Sequence, residues 1–329
     1  MPIDIGNQLF QKGEKGMKVL VTGGAGFIGS HVVEELLKCQ YKVAVIDNLA
    51  TGASTNLSGK VKLYQMDLND LQVETVFELE SPDYVIHLAA QVSVTKSMKD
   101  PYFDFLTNTV GTVKIVSLSK QFNVRKLIFA STAAVYGEPT YYPIDEHHSK
   151  QPLSFYSLSK NAAENYIELY GKNNELDNCI LRFSNVYGPR QNPNGEAGVV
   201  SIMINRLLDD SSVNIFDGSQ TRDFIYVKDV AVACRHAMES RHTGVFNISS
   251  CTETAIGDLY YLLAEMTGKR KLPVYKPRRT EEIIKSVLDN RKAMNELEWR
   301  LNYSLSDGLK ETVQYYAYKL REDHLEKTM

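Results

Sequence analysis

The chain has 329 residues, of which 43% are hydrophobic, and its 37 basic and 40 acidic residues give a formal net charge of -3. That length exceeds what one core usually fills, so two lobes or one large α/β unit are expected, and the near-neutral balance gives no support to a nucleic-acid or membrane-surface partner. No apolar run approaches the roughly 18 residues of a membrane span, and Cys39, Cys179, Cys234 and Cys251 form no CxxC or Cys/His ligand spacing, so neither a metal site nor a disulfide framework is indicated and a reducing, cytoplasmic setting is the default expectation.

Residues 1–16 are polar, mixed in charge and aperiodic, and read as a flexible leader. From Met17 a strand–helix alternation begins. Lys18 to Thr22, Lys42 to Asp47, Val61 to Met66, Tyr84 to Leu88, Lys126 to Ala130 and Cys179 to Phe183 read as buried strands. Between them, Ile28 to Lys38, Leu71 to Leu79, Tyr102 to Gln121 and Leu153 to Tyr170 read as helices. Such alternation predicts an α/β fold, a doubly wound Rossmann-type parallel sheet over residues 17–183. Pro, Gly and Asn then become frequent between Gly188 and Gly198. Residues 184–329 are expected to form a smaller mixed α/β lobe, with segments near 224–250 able to return to the first domain. That lobe would hold a helix from Val199 to Asp209, strands near Val213 to Phe216 and Phe224 to Val227, and helices beginning near Lys228, Ile256 and Ser306.

The run Gly23-Gly24-Ala25-Gly26-Phe27-Ile28-Gly29 follows a strand and opens a helix. Glycines in that context let backbone amides and a helix N-terminus face a pyrophosphate. Asp47 ends the second strand about 20 residues on, where a carboxylate accepts hydrogen bonds from ribose hydroxyls and repels a 2'-phosphate, so NAD is expected over NADP. The alternative for Asp47-Asn48 is a cap. Asp67 either reaches the adenine amino group or serves as a turn carboxylate.

Tyr156 and Lys160 open a helical segment whose apolar stripe is expected from Leu158, Ala162, Tyr166 and Leu169 or Tyr170. Four-residue spacing places the pair on one helix face. An ammonium and a positive nicotinamide ring would draw the phenol toward the working pH and make it a usable base. The preceding strand ends in Ser131-Thr132-Ala133-Ala134, presenting hydroxyls at the sheet edge where such folds bind ligands. Either hydroxyl could contact a reacting sugar oxygen or form a turn.

Together with His87-Leu88-Ala89-Ala90, Val135-Tyr136-Gly137, Leu181-Arg182-Phe183-Ser184-Asn185-Val186-Tyr187-Gly188-Pro189-Arg190 and Thr221-Arg222-Asp223-Phe224-Ile225, these motifs resemble the extended short-chain dehydrogenases/reductases of the NAD-dependent epimerase/dehydratase family. Within it the resemblance is closest to UDP-glucose 4-epimerases, from Met17 to about Tyr316. The resemblance implies Tyr156 as base, Lys160 as cofactor-ribose ligand and Thr132 as the hydroxyl contacting substrate and tyrosine. It extends the cofactor set to Gly23, Gly26, Phe27, Ile28, Gly29, Asp47, Asn48, Asp67, Leu68, Leu88, Ala89, Ala90 and Asn108. For a UDP-sugar it implies Asn185, Val200, Phe216, Arg222, Arg279, Glu282 and Ser286, the two arginines suiting a diphosphate. Two departures stand out: Val92 replaces a lysine of some members, and the Phe216 to Gln220 loop is one residue short. A homodimer built on Tyr102 to Gln121 and Leu153 to Tyr170 is also implied, with burial inside one chain as the alternative.

Related dehydratases and the decarboxylase that makes UDP-xylose carry an acid just before this Val-Tyr-Gly, where this chain has Ala133-Ala134. A methyl group donates no proton, which leaves oxidation and re-reduction at sugar C4. Ser286 stands where some members place a large aromatic, so space for a C2 N-acetyl group is expected and with it activity on UDP-GlcNAc and UDP-GalNAc beside UDP-Glc and UDP-Gal. A UDP-glucuronate 4-epimerase and a non-catalytic dinucleotide-binding scaffold remain the competing readings. His87, His147, His148, Trp299 and Phe246 read as structural.

Overall fold

Strand runs that are apolar on both faces need cover on both sides, and Lys18–Thr22 (β1) finds it. Val19 and Val21 point into one core and Leu20 into another, the two-residue alternation of a pleated strand. The computed structural model describes residues 16–173, 175–193, 198–269, 271–277 and 283–328, with side chains up to 322. The expected leader lies outside these residues except for Gly16.

After β1 come α1 (Phe27–Lys38), β2 (Lys42–Asp47), β3 (Lys62–Gln65), α2 (Val73–Glu80), β4 (Tyr84–His87), α3 (Val94–Lys99), α4 (Pro101–Phe105), α5 (Gly111–Gln121), β5 (Lys126–Thr132), α6 (Phe155–Lys172) and β6 (Asp177–Phe183). They are followed by β7 (Asn185–Tyr187), α7 (Val199–Leu208), β8 (Asn214–Phe216), β9 (Thr221–Tyr226), α8 (Val227–Glu239), β10 (Gly244–Ile248), β11 (Glu253–Ala255), α9 (Ile256–Thr267), β12 (Val274–Lys276), α10 (Arg291–Glu296) and α11 (Leu305–Thr328). Seven strands form one parallel sheet in the order β10-β6-β5-β4-β1-β2-β3. The order reverses between β1 and β4, the position where such sheets open a crevice at their carboxyl edge. One core packs Val33, Leu36, Phe246 and Trp299 on the α1/α8 face. The other packs Phe77, Ile115, Phe129 and Ile167 beneath α2, α5 and α6.

The smaller lobe gathers α7, α9 and α11 around Met203, Phe224, Leu259 and Leu309, with a three-stranded sheet β11-β9-β7 and a pair β12-β8. The chain does return to the large sheet. Helix α8 packs on α1, and β10 joins the edge beside β6.

Two helices differ from expectation. The segment expected as one helix from Tyr102 to Gln121 contains a π-helical stretch at Leu106–Val110, a wide turn that is frequent at functional sites. Helix α6 turns the expected apolar stripe outward: Leu158, Tyr166 and Leu169 are 52%, 48% and 56% exposed. Its buried face carries Ser157, Ser159, Lys160, Ala163, Glu164 and Ile167. Ser157, Ser159 and Glu164 go inside because each meets a hydrogen-bond partner that repays its desolvation, whereas the Lys160 ammonium is seated over the Phe129 ring.

The strongest of these partnerships is Glu164 with Arg182. Arg182 donates from Nη2 and Nε to the two Glu164 oxygens at 2.7 and 2.9 Å, the bidentate geometry that gives such pairs their strength. Ser131 donates to the same carboxylate at 2.5 Å and Lys150 at 3.2 Å. Arg182 Nη1 also donates to the Tyr136 hydroxyl, which donates on to Asn247 Oδ1 at 2.7 Å. Four elements, β5, α6, β6 and β10, are thus tied at one point. Burial opposes the Glu164 charge, but Arg182 and Ser131 keep its carboxyl below the usual range.

His87 closes β4 as a structural residue. Its Nδ1 lies 2.6 Å from Thr22 Oγ1 and its Nε2 2.9 Å from Thr112 Oγ1. Thr112 spends its proton on the Asn108 carbonyl at 2.6 Å, so Nε2 carries the imidazole proton and Nδ1 accepts from Thr22. Burial, then the charge of Lys160, push this imidazole down to about 3.

Arg182→Met leaves Glu164 buried without its cation and is expected to cost about 3–5 kcal/mol in denaturant unfolding. For His87 the folded pKa lies below the unfolded value near 6.5, so its stabilising contribution is complete above that value and is lost as pH falls toward about 3. His87→Gln should flatten the pH dependence of unfolding free energy in that window by about 1.4 kcal/mol per pH unit; an unchanged slope would contradict the neutral, buried imidazole.

Candidate active site

The glycine turn is shaped by close backbone approaches. Gly23 has φ +70°, and a Cβ there would lie 2.7 Å from Ala89 N. A Cβ on Gly29 would lie 2.0 Å from the Gly23 carbonyl oxygen. Only glycine permits this crossing of β1 and α1. Gly26 is the N-cap of α1 and supplies no side-chain acceptor, and the first turn of the helix carries no acid. The opening amides and the positive helix end therefore remain available to an anion, which is the fit a dinucleotide pyrophosphate requires.

The other expected cofactor residues gather at the same edge. Asp47 at the end of β2 accepts from Ala25 N at 2.9 Å and Leu49 N at 2.8 Å, so its carboxylate is fixed against the glycine turn. Asn48 donates to Asp67 at 2.9 Å, and Asp67 also accepts from Asn69 N at 3.0 Å, the pattern of a turn carboxylate. Leu68 is buried beside Gly111. Leu88, Ala89 and Ala90 continue from β4, with Leu88 N bonded to Thr22 O at 3.1 Å. Val92 is 50% exposed. Phe27 and Ile28 face the smaller lobe's core from the start of α1.

Tyr156 and Lys160 stand in the first turns of α6, which Ser154 and Ser157 open as a reciprocal capping box. The sequence expects Lys160 to lower the tyrosine pKa, but in the cofactor-free chain burial prevails and pushes the phenol up to about 12, with Thr132 opposing through a hydrogen bond and Asp104 adding to the rise. Burial also pushes the Lys160 ammonium down to about 7, against the pull of Glu164 and Asp104. Lys160 Nζ sits 4.2 Å from the Phe129 ring centroid. Thr132 is the N-cap of a short 3-10 turn, Ala133–Tyr136, accepting from Ala134 N at 3.2 Å. Its own proton is thereby free to point at the phenolic oxygen.

Beneath this pair lies a buried polar cluster. Asn108, in the π-helical stretch, accepts from Gln91 N at 2.8 Å and donates to Gln91 O at 2.9 Å, imitating a strand partner for the chain leaving β4. Asp104, one helical turn earlier, accepts from Ser159 Oγ at 2.5 Å, Gln91 Nε2 at 2.8 Å and Asn108 Nδ2 at 3.1 Å. Asp104, Gln91 and Ser159 are not among the residues the sequence singles out; the four-residue step from Asp104 to Asn108 was the available signal.

Across the crevice, Asn185 pairs with Phe224 in the β7–β9 ladder and Arg222 lies at the start of β9. Arg222 Nη1 donates to Thr221 O at 2.8 Å. Asp223 is fully buried and accepts from Ser250 N at 2.9 Å, Ser250 Oγ at 2.7 Å and Leu288 N at 3.2 Å. It joins β9, the chain after β10 and the segment carrying Ser286. That segment also bridges Thr221 through Lys285 and Ile144 through Leu288. Phe216 closes β8 half-buried, whereas the Val200 side chain is buried in the lobe's core. Arg279 and Glu282 lie outside the described residues.

A profile of the NAD dependent epimerase/dehydratase family matches residues 19–249. The UDP-glucose 4-epimerase of Thermotoga maritima, solved with UDP-glucose, is 44% identical with a TM-score of 0.90 over 92% of this chain and 100% of that one. The UDP-glucose 4-epimerase of Thermus thermophilus, solved with NAD, is 40% identical with a TM-score of 0.86 over 91% and 99%. The UDP-N-acetylglucosamine 4-epimerase of Methanobrevibacter ruminantium, solved with UDP-N-acetylmuramic acid, is 33% identical with a TM-score of 0.89 over 93% and 100%. On the profile match over most of its length, together with this glycine turn and sheet edge, the chain belongs to the NAD dependent epimerase/dehydratase family.

Proposed function

We propose that the chain is an NAD-dependent isomerase, a UDP-sugar 4-epimerase that interconverts UDP-glucose and UDP-galactose and accepts UDP-GlcNAc and UDP-GalNAc. The observation that carries this reading is the hydrogen bond between Thr132, at the end of β5, and Tyr156, with Lys160 one helical turn further along α6 and only Ala133 and Ala134 where an eliminating enzyme would place an acid. Similarity to two UDP-glucose 4-epimerases and a UDP-N-acetylglucosamine 4-epimerase supports it.

In this reading the glycine turn from Gly23 to Gly29 holds the pyrophosphate of NAD, Asp47 its adenosine ribose and Lys160 its nicotinamide ribose. When bound, NAD supplies the hydride acceptor for sugar C4 and a positive ring that favours phenolate over phenol. Tyr156 takes the proton of the 4-hydroxyl, and Thr132 steadies both oxygens. The 4-keto sugar turns about its diphosphate, anchored by Arg222 and Arg279, so that the hydride the bound cofactor would hold can return to the opposite face of C4 while Tyr156 returns the proton to the C4 oxygen. Firm anchoring with a loosely held sugar is what such a turn requires. Asn185 and Phe216 line the nucleotide end, and Ser286 leaves room at sugar C2.

The outward face of α6, with Leu158, Tyr166 and Leu169, and the exposed Met98, Tyr102 and Phe105 of the α3–α4 region form one apolar surface. A patch of this kind suits a partner, and we assign it to a second copy of the chain in a four-helix contact. Leu158→Glu with Leu169→Glu should convert a dimer to a monomer in light scattering.

Incubation with UDP-Glc, UDP-Gal, UDP-GlcNAc, UDP-GalNAc and UDP-glucuronate, followed by chromatographic resolution of epimers, tests the assignment. Conversion of the first four is expected. UDP-GalNAc left untouched while UDP-Gal is converted would remove the role given to Ser286, and turnover of UDP-glucuronate alone would replace the substrate. Tyr156→Phe should lower turnover by about 10²–10⁴-fold with the fold retained.

A further inference from the structure

A fully buried aspartate is rare unless a cation pairs with it. Asp104 is fully buried, yet its hydrogen-bond donors are all neutral: the Ser159 hydroxyl and the side-chain amides of Gln91 and Asn108. No lysine or arginine among the described residues forms a salt bridge with it. An asparagine would fill the same volume without the cost of burying a charge. The ammonium of Lys160 is equally isolated, seated over Phe129 with its neighbour in sequence, Ser159, bonded directly to Asp104.

We propose that Asp104 is a positioning residue that acts as the counter-charge of the Tyr156–Lys160 pair, keeping Lys160 protonated in an apolar site and setting the pH at which Tyr156 works. The inference rests on the roles given to Tyr156 and Lys160 above. Its geometry is a wedge: from α4, Asp104 takes the proton of Ser159, the residue preceding Lys160, whose Oγ also lies 3.0 Å from the Tyr156 carbonyl, so the carboxylate is fixed against the turn of α6 that carries both functional residues. The direction of its influence agrees, because Asp104 raises both the Lys160 ammonium and the Tyr156 phenol. The other ionisable groups facing the pair are Glu164 on α6 and His87 at the end of β4. Glu164 is already matched by Arg182 and Lys150, and His87 is neutral. Glu164 is the larger of the two carboxylate influences on Lys160, but its oxygens are held by Arg182 and Lys150, and Asp104 is the one that pairs with no lysine or arginine among the described residues.

Asp104→Asn tests this with two readouts. In cofactor-free protein labelled with [ε-13C]lysine, the resonance that disappears in Lys160→Met reports the Lys160 titration, expected near pH 7 in the parent chain. In Asp104→Asn it should move down by about one pH unit, the effect of losing a nearby opposite charge. In NAD-loaded enzyme both limbs of the kcat–pH profile should move down by a similar amount, whereas Asp104→Glu should keep the parent limbs. An unmoved Lys160 titration, with kcat reduced by one factor at every pH, would make Asp104 merely structural and overturn the proposal. If Asp104→Asn does not fold, recovery of folding in Asp104→Asn/Lys160→Met supports the charge pairing, and failure of both overturns it. A chain that turns over no UDP-sugar would sink the proposed function, while the Lys160 titration would still read Asp104.

Discussion

The bidentate contact of Arg182 with Glu164 is the joint on which the functional half of the molecule hangs. It is where α6, which carries Tyr156 and Lys160, meets β6, and where Ser131 of β5 and Tyr136 of the following turn are drawn in. A buried pair of this sort contributes little net stability against an apolar replacement, because the desolvation of two charges nearly offsets their attraction. What it provides is direction. Leucines at these positions would let α6 slide along the sheet, whereas a forked guanidinium accepts one orientation of one carboxylate. Thr132 reaches the Tyr156 oxygen only because both ends of that geometry are set at this joint.

The same preference for directional polar contacts explains what was legible in the sequence. Strands β1, β2, β4, β5 and β6 appear as apolar runs because they are buried between two helical layers, while the edge strand β3 carries no buried residue, and the observed limits of all six stay within a few residues of the expected ones. The glycine turn was legible because its geometry excludes every other residue. The expected limits of helix α6 lie within two residues of the observed ones, but its orientation differs: Leu158, Tyr166 and Leu169 face outward and Ser159, Lys160 and Glu164 face inward. Periodicity assumes that apolar residues seek the core, and that assumption fails where the helix packs inward on a polar network. Asp104 was invisible for the same reason, since an acid in a helix reads as solvent-facing. Strands β7, β10, β11 and β12 are three to five residues long and are defined by partners far away in sequence, a tertiary effect that local propensity does not register.

The electrostatics of the site show why a resident cofactor matters to the protein itself. Burial pushes the Tyr156 phenol up to about 12 and the Lys160 ammonium down to about 7, so the apolar surroundings by themselves favour neither charge. Desolvation is the larger influence on each, and fixed carboxylates counter it only for the lysine. Activation waits for positive charge at the crevice, and the glycine turn, whose helix end lacks any acidic residue or side-chain cap, is where the chain leaves room for the anionic part of the group that brings it.

Asp223 completes the opposite wall by different means. Among the described residues its carboxylate forms no salt bridge and instead takes backbone and hydroxyl donors from the chain after β10 and from the segment bearing Ser286. Three separate stretches are therefore registered on β9, and Arg222 starts from a strand that cannot shift without breaking several bonds to a buried charge. In the proposed reaction such a fixed strand suits the end of the ligand that must stay bound, whereas Ala133 and Ala134 offer no polar side chain that would hold the end that turns over.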